Sequence, residues 1–551
     1  MFPSNTKLMT MKNIKSYSYG VILLLLLFNY SCTKLEDTNY DTLVADGFTP
    51  TSDDVAALIG SAYVDWRNTL LLWNGVWRSQ EVTADEIVIP ARPNGWVDGG
   101  IYKRLHQHKW TADDDAVYQG WFRTYNGVTN CNKIIYQIES GYVPLEEDQK
   151  ASALAELRVL RASYYWILLD LYGNVPLDTQ FDVPEGYLPE QSSRTEVYNF
   201  VVNEVTESLP DLSESSGTEM YGRFNKWAAY TLLAKVYLNA EVYTGTPQWE
   251  KCIAACQAVI DSGEYMLEPD QKNVFVTENQ NSSEIIFALA IDDNYTTSWN
   301  TFDIHMQTLQ PANQATYNLQ FSPWGGMAAI PQFIDSFDPE DSRLTKNFIY
   351  GQQYSSSGEM LYATLGSMAG EPLNYINEIP SVDRSEGIHG YRFGKFEIET
   401  GASNILNNDF PVFRYADILM MKAESLLRTG NSEEAATIVT EVRDRAFKSN
   451  PEKATVTGSE LESGSVYDYG LRNEDATTEE GGDDIMYGRF LDELAWEFNQ
   501  EGHRRQDMIR FGIFTEKSWF SHSPDGDFRA LYPIPQQALN NNPNLTQNPG
   551  Y

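Results

Sequence analysis

The stretch AELRVLRASYYWILLDLYGNVPL, residues 155–177, carries the clearest helical pattern in the chain and decides its fold class. Large apolar side chains recur three or four positions apart, the spacing that places them on one face of an α-helix. They are Leu154, Leu157, Leu160, Tyr164, Leu168 and Leu171. Gly173 and Pro176 stop the pattern, because glycine favours helix ends and proline cannot continue a helix. We therefore predict a helix over residues 150–173.

Similar patterns on both sides of this stretch predict a mainly α-helical protein. The further predicted helices cover residues 53–66, 115–137, 195–209, 226–243, 249–263, 413–429, 432–447, 484–500 and 503–512. Successive helices of this length with short connections are typical of tetratricopeptide-like repeats, in which each helix pair packs against the next.

Residues 269–411 have a different composition, rich in Gly, Pro, Asn, Ser and aromatic residues. Within them only residues 284–292 are predicted as a strand. We expect one domain after the leader, with a helical part at 38–268, a loop-rich insertion at 269–411 and a second helical part at 412–551. A long irregular insertion is more often functional than idle. Residues 452–484 are acidic and glycine-rich, which predicts an exposed loop, and the chain is expected to end in an extended segment.

The charge of the chain restricts its partners. The formal net charge is -37 at pH 7. A surface this negative repels phosphate backbones and anionic lipids, so nucleic acid is excluded as a partner, whereas neutral ligands are unaffected.

The N-terminus has the pattern of a secretion signal. Lys7, Lys12 and Lys15 precede an apolar run at residues 20–28, which is too short to span a bilayer. Cys32 follows a small residue at the end of this segment, as in bacterial lipoproteins. We predict a signal peptide over residues 1–31 and lipidation of Cys32, which would anchor the protein to a membrane surface.

The remaining polar motifs do not form a recognisable catalytic or metal site. Cys131, Cys252 and Cys256 are predicted to be core residues, and His106 and His108 are predicted to have structural or hydrogen-bonding roles. A calcium ion at residues 113–115 is chemically reasonable, but these acids are better explained as the cap of the following helix. We therefore expect no cofactor and no catalytic group.

Several segments together resemble the SusD/RagB family of outer-membrane nutrient-binding lipoproteins. Residues 155–177 resemble the family's helix of the type AExRxLRAxYYFxLxxLYGxVPL, and residues 222–243, GRFNKWAAYTLLAKVYLNAEVY, resemble a second family helix. Further similar blocks follow in the family's order at residues 249–267, 412–431, 442–447, 490–512 and 531–551. One departure is the sequence after Glu493, where the family commonly has an arginine and this chain has Leu494.

The resemblance implies a function as well as a fold. The fold would have four tetratricopeptide-like helix pairs on one side and an irregular ligand-binding region on the other. The protein would be a non-catalytic, cell-surface glycan-binding lipoprotein of the outer membrane. Its partner would be a SusC-like TonB-dependent transporter, to which it delivers the bound oligosaccharide or polysaccharide.

The residues best suited to bind a sugar lie in IVIPARPNGWVDGGIYKRLHQHKW, residues 87–110, which has too much glycine and proline to predict a helix. A sugar ring presents a face of C–H groups and an edge of hydroxyls, so its site needs an aromatic face and planar polar groups. Asn94, Trp96 and Asp98 supply both within five residues. We predict Trp96 as the main contact.

Other predicted ligand contacts lie farther along the chain. Trp324, in the turn sequence Ser-Pro-Trp-Gly-Gly, ranks second, followed by Tyr391, Arg392 and Asp85. A guanidinium such as that of Arg392 can form paired bonds to sugar hydroxyls, although a salt bridge explains it equally well. The further aromatic candidates, most of which we expect in the core, are Trp73, Trp77, Trp299 and Tyr317.

Two alternative functions remain open at the level of sequence. The same fold could hold peptides, as in the RagB branch of the family, although the tryptophan-rich insertion favours glycan. A secreted glycoside hydrolase is less favoured, because acid pairs are inevitable in so acidic a chain and no hydrolase motif is visible.

Overall fold

Helices are the main secondary structure of the protein, described here from a computed structural model over residues 51–296 and 301–551. The predicted signal peptide, Cys32 and Trp299 lie outside these residues. The helices are α1 (Ser52–Leu70), α2 (Val76–Glu81), α3 (Ile101–His106), α4 (Asp115–Glu139), α5 (Glu147–Tyr172), α6 (Arg194–Ser208), α7 (Lys226–Leu238), α8 (Ala240–Thr244), α9 (Trp249–Ser262), α10 (Ile304–Thr308), α11 (Gln314–Tyr317), α12 (Pro331–Asp335), α13 (Ser342–Asn347), α14 (Tyr415–Arg428), α15 (Ser432–Asp444), α16 (Gly458–Leu461), α17 (Gly488–Phe498), α18 (Arg504–Arg510) and α19 (Gln536–Asn541).

The predicted helix at residues 150–173 is confirmed as α5, which ends at Gly173 with φ 74°. Its aromatic side chains pack closely against α4. A Cβ atom added to Gly127 would lie 2.3 Å from the Tyr164 ring, and one added to Gly120 would lie 2.6 Å from the Tyr172 hydroxyl. Glycine is therefore required at both positions to let the two helices approach.

The long helices pack in sequence. α1 packs against α4, α4 against α5, α5 against α6, α7 against α9, α9 against α14, and α14 against α15. Because α9 precedes the irregular segment and α14 follows it, their contact joins the two helical parts of the chain. Among the described residues, no helix is both long enough and apolar enough to cross a membrane.

Short antiparallel strand pairs organise the irregular segment and its surroundings. The strands are β1 (Ile87–Val88), β2 (Val175–Pro176), β3 (Gln191–Ser192), β4 (Ile285–Leu289), β5 (Ala328–Ala329), β6 (Phe348–Ile349), β7 (Gly351–Gln352), β8 (Asn374–Tyr375), β9 (Arg392–Phe393), β10 (Phe410–Arg414), β11 (Arg472–Asn473) and β12 (Ala476–Thr477). β1 pairs with β5, β2 with β3, β4 with β10, β6 with β9, β7 with β8, and β11 with β12. The β1–β5 pair brings the chain near residue 90 beside the chain near residue 326.

A network of buried ion pairs connects these strands to the helices. Arg414, at the end of β10, contacts Glu284 at 2.7 Å, Glu497 at 2.8 Å and Glu501 at 2.7 Å. Lys395 contacts Glu501 at 2.5 Å. Because removal of one partner would leave a buried charge unpaired, such a network holds the elements in one arrangement.

Several sequence predictions are corrected by the structure. The helix predicted at 226–243 is two helices, α7 and α8, which meet at Asn239. Residues 87–110 contain α3, which was not predicted because the glycines before it obscured the helical pattern. Residues 269–411 contain the short helices α10 to α13. Residues 452–484 are not simply an exposed loop, since Tyr467 and Tyr469 are fully buried.

Candidate functional site

Two turns meet at the surface beside the β1–β5 pair. The first, the Trp96 turn (residues 91–98), has Gly95 at φ 76°, and the second, the Trp324 turn (residues 322–326), has Gly325 at φ 51°. These left-handed conformations favour glycine. The side-chain amide of Asn94 donates to the backbone oxygens of Trp324 and Gly325. Asn94 therefore holds the two turns together, and its contact with ligand stays a prediction.

The two tryptophans lie next to each other where the turns meet. The ring centroids of Trp96 and Trp324 are 6.4 Å apart and their planes are inclined at 74°. Both side chains are half-buried. One side of the Trp96 ring lies against Gly326, where an added Cβ would be 2.6 Å from the indole. The structure thus brings together two residues that are 228 positions apart in the sequence, with part of each indole exposed to solvent.

Asp98 fixes the orientation of the Trp96 indole. One carboxylate oxygen accepts hydrogen bonds from Trp96 Nε1 at 3.0 Å and from the Tyr102 hydroxyl at 2.5 Å. The Tyr102 ring also packs edge-to-face on Trp96, with centroids 5.0 Å apart. Burial raises the pKa of Tyr102; the nearby Arg78 lowers it and Asp98 raises it. The hydroxyl of Tyr102 therefore stays protonated and donates.

Arg92, within the Trp96 turn, binds this turn to neighbouring segments, a role that the sequence did not predict. Its guanidinium donates to the backbone oxygen of Gly326 at 2.9 Å, the hydroxyl of Ser385 at 3.1 Å and the backbone oxygen of His389 at 2.9 Å. The side chain is buried, and this burial lowers its pKa well below the ordinary value. Tyr102 was also missed, because Asp98 lies before the start of α3 and the glycines between them hide any helical spacing.

Arg392 does not lie where a ligand could reach it. Its side chain is fully buried and donates to the backbone oxygens of Met327 at 3.2 Å and Gly387 at 2.6 Å. The guanidinium also lies 4.6 Å from the centre of the Tyr375 ring. We correct the prediction for Arg392, because these contacts hold neighbouring segments together. Tyr391 is half-buried and stacks on Tyr350 in a separate ring pair.

Asp85 is also a structural residue. Its carboxylate is fully buried, forms two hydrogen bonds with the Arg504 guanidinium at 2.7 and 2.8 Å, and accepts one from the Tyr469 hydroxyl at 2.7 Å. The prediction that Asp85 contacts ligand is corrected for the same reason, since its hydrogen-bonding capacity is used within the protein.

The histidines have the hydrogen-bonding roles that the sequence predicts. His106 Nε2 donates to the backbone oxygen of Phe520 at 2.5 Å and His108 Nε2 to that of Thr83 at 2.8 Å. Burial lowers the pKa of His106 to about 4 and that of His108 to about 3, so both are neutral at physiological pH. His106 is the last residue of α3.

Asp114 and Asp115 are bound to protein groups. Asp114 is the N-cap residue of α4, as the sequence predicts, but its side chain makes no capping hydrogen bond. Asp114 accepts from the Arg104 guanidinium at 2.9 Å and from the Thr111 backbone nitrogen at 2.9 Å. Asp115 accepts from the Asn74 amide at 2.8 Å. In the parts of the chain that the structure describes, no group of three or more His, Cys, Asp or Glu side chains is arranged to hold a metal ion.

The other aromatic candidates divide between core and surface. Trp77 is buried and donates from Nε1 to the backbone oxygen of Gln500 at 2.9 Å. Trp73 and Tyr317 are half-buried. Trp96 and Trp324 therefore stand out as the tryptophan pair that is joined by a polar framework at the surface.

Comparison with known proteins identifies related families and folds. A family model described as "SusD family" matches residues 283–551, and one described as "Starch-binding associating with outer membrane" matches residues 70–238. The "Starch-binding protein SusD" of Bacteroides thetaiotaomicron is 26% identical over 504 residues, covering 83% of this chain and 82% of that protein. "SusD-like protein P25" of Formosa agariphila is 24% identical over 450 residues, covering 78% of each chain.

Solved structures show the same fold. The structure titled "Surface glycan-binding protein A from Bacteroides thetaiotaomicron in complex with laminarihexaose" matches with a TM-score of 0.68 at 17% identity, covering 91% of this chain and all of that one. A "Laminarin binding SusD-like protein" also matches with a TM-score of 0.68, at 20% identity, covering 92% of this chain and all of that one. These matches show that the chain has the fold of these structures, and the two family models show that its sequence is similar to the SusD family over residues 70–238 and 283–551.

Proposed function

We propose that the protein binds a neutral glycan at the Trp96 and Trp324 turns. The observation that carries the proposal is the pair of half-exposed indoles held at a fixed angle by Asn94 and Asp98. The names of related proteins support a binding function, since relatives are described as starch-binding and laminarin-binding.

The chemistry of the two turns suits a sugar. An exposed indole stacks on the C–H face of a pyranose ring, and the Asp98 carboxylate can accept hydrogen bonds from its hydroxyls. Because Asp98 and the net charge of -37 are both negative, an uncharged chain is a better ligand than an acidic one. The contact area of two indoles is small, so we expect modest affinity for a short oligosaccharide and stronger retention of a long polymer.

We further propose that the protein works at the outer membrane, anchored through lipidated Cys32, and delivers glycan to a SusC-like TonB-dependent transporter. Similarity to the SusD family model supports this proposal, as does the description of the second matching model, which refers to association with the outer membrane. Metabolic labelling with a fatty-acid analogue tests the anchor, since the label should be lost in Cys32→Ala. Co-purification of a TonB-dependent transporter with the tagged protein tests the partner.

Native gel electrophoresis in the presence of polysaccharide tests the glycan site. The protein is run in gels containing starch, laminarin and a panel of plant, fungal, host and bacterial polysaccharides. We expect retardation by at least one polymer, and loss of that retardation in Trp96→Ala with an unchanged circular dichroism spectrum. Tyr142→Ala is the matched control, because Tyr142 is 59% exposed and lies in another part of the protein.

The same protein preparations distinguish the alternative functions. Unchanged retardation of Trp96→Ala would reject Trp96 as the contact. Peptide detected by mass spectrometry in the purified protein would favour a peptide carrier, and release of reducing sugar above a boiled control would indicate a hydrolase. Relatives named as binding proteins favour a non-catalytic role.

A further inference from the structure

A second exposed aromatic surface lies on a small sheet in the irregular segment. β7 pairs with β8, and residues 360–363 join them through backbone hydrogen bonds. Gln353 donates to Leu373 at 2.9 Å, Leu361 donates to Gln353 at 2.9 Å, and Leu373 donates to Leu361 at 2.8 Å. These bonds fix the register of three short extended segments.

The two faces of this sheet differ in a way that is unusual for a surface sheet. The inner face contains the buried residues Ala363, Leu373 and Tyr375, with the half-buried Leu361 packed against them. The outer face would normally carry polar residues, but here it carries exposed aromatic and apolar side chains. We call this outer surface the tyrosine face; its residues and exposed fractions are Tyr350 at 41%, Tyr354 at 47%, Met360 at 44% and Tyr362 at 50%.

The rings of the tyrosine face are ordered by neighbouring contacts. Tyr350 stacks on Tyr391 with a centroid separation of 4.8 Å and an interplanar angle of 16°. Tyr354 lies directly opposite Met360, and Tyr362 lies opposite Pro372. One side of the Tyr350 ring is supported by Tyr391, so the ring can offer its other side to a ligand without first losing rotational freedom.

Planar amides lie between the tyrosines. Gln352 and Asn374 form a cross-strand pair on the same face. The Gln352 amide nitrogen donates to the backbone oxygens of Gln353 at 2.9 Å and Leu361 at 3.0 Å, which fixes the position of the side chain. Asn374 is exposed. The amide oxygen of Gln352 can still accept from a sugar hydroxyl, and the exposed Asn374 amide can both donate and accept, a property that a surface built only for apolar contact does not need.

We propose that the tyrosine face is a second glycan-contact surface, which binds another part of the same neutral polysaccharide. This inference rests on the function proposed above. Three exposed tyrosines and Met360 lie within residues 350–362, so the surface offers several contacts to a run of sugar units. Binding at two places on one polymer raises the overall affinity, whereas a short oligosaccharide gains little.

The test compares one polymer and one oligosaccharide on matched variants. The triple variant Tyr350→Ala/Tyr354→Ala/Tyr362→Ala removes the exposed rings, and Tyr142→Ala/Tyr187→Ala removes exposed rings elsewhere. Affinity gels containing the polysaccharide that retards the wild type measure polymer binding. Isothermal titration with a hexasaccharide of the same glycan measures the Trp96 site, and thermal unfolding checks the fold.

We expect the triple variant to bind polymer about 3- to 10-fold more weakly, with hexasaccharide affinity within about 2-fold of wild type. The inference is overturned if polymer retardation of the triple variant equals that of the wild type, or if polymer and hexasaccharide binding fall together. Both of these results leave the Trp96 site intact as a proposal. If the wild type binds no glycan in the panel, the proposed function and this inference both fail.

Discussion

At the scale of single residues, the structure separates side chains that can meet a ligand from those that only resemble ligand contacts. Trp96 and Asp85 belong to neighbouring parts of the sequence, yet the first is half-exposed and the second is fully buried against Arg504. The sequence pattern predicted the Trp96 turn as a sugar contact, because Asn94, Trp96 and Asp98 place an aromatic ring and polar groups together on a glycine turn. It could not identify burial at Asp85, because the partners of Asp85 lie far away in the chain, or at Arg392, which is held by a distant segment at Met327 as well as by the nearby Gly387.

The role of Asp85 can be tested by substitution. Asp85→Ala should destabilise the fold by about 3–5 kcal/mol, because it leaves the Arg504 guanidinium buried without its carboxylate. Glycan retardation of the remaining folded protein should be unchanged. Urea unfolding and affinity gels measure the two properties. Loss of binding without loss of stability would instead place Asp85 in the ligand site.

Asn94 gives a contrasting prediction at the same scale. Asn94→Ala removes two hydrogen bonds to the Trp324 turn, each worth about 1 kcal/mol, so the two indoles should lose their fixed relation. We expect weaker glycan binding, by about tenfold, with a small change in Tm. Titration calorimetry provides the affinity. An unchanged Kd would show that the turn keeps its shape without Asn94.

At the scale of elements, close packing between α4 and α5 depends on glycine. Gly127→Ala should cost about 1–3 kcal/mol, because the added Cβ would overlap the Tyr164 ring. Gly60 in α1 is the matched control, since nothing lies within 4 Å of its added Cβ. Gly60→Ala should be neutral or slightly stabilising, because alanine favours a helix by up to about 1 kcal/mol. Equal stability of both variants in urea unfolding would contradict this packing.

The elements also show what sequence periodicity can and cannot predict. Long amphipathic or buried helices such as α5 were predicted within a few residues, and Gly173 marked the end of α5. The six-residue helix α3 was missed, because Gly99 and Gly100 precede it and its length gives little periodicity. The tyrosine face could not be predicted, since its three segments are joined only by tertiary hydrogen bonds.

At the scale of the whole molecule, buried acids make stability depend on pH in two directions. Burial raises the pKa of Glu81 to about 8 and those of Asp417 and Asp492 to about 7. Burial alone would also raise the pKa of Glu497, but Arg445 and Arg414 outweigh it and hold this pKa below the ordinary value. The first three acids favour the folded state while protonated, whereas Glu497 favours it while ionised.

The sign of the pH dependence follows from these shifts. The raised acids bind protons more tightly in the folded state, so their stabilisation is complete below about pH 4 and is lost as pH rises toward about 8. The contribution of Glu497 is lost as pH falls below about 4. Buried neutral histidines such as His106 and His108, whose pKa values burial lowers, also stabilise the folded state above about pH 6.5 and lose this contribution as pH falls. We expect the highest Tm in mildly acidic solution and a fall of several degrees by about pH 8.5. Thermal unfolding across pH measures this.

A variant isolates one of these groups. Glu81→Gln cannot ionise, so its Tm should fall less steeply than that of the wild type between about pH 6.5, where the histidines no longer titrate, and pH 8.5. A wild-type Tm that rises over this interval would contradict the expected sign. Identical slopes for the two proteins would show that Glu81 does not contribute to the dependence.

The most direct measurement of the central claim is a crystal structure of the protein with an oligosaccharide of the glycan that retards it in gels. We predict a sugar ring stacked within about 4 Å of the exposed side of Trp96 or Trp324, with hydroxyls bonded to Asp98. An oligosaccharide bound elsewhere, with both indoles in contact only with protein and solvent, would contradict the proposed site.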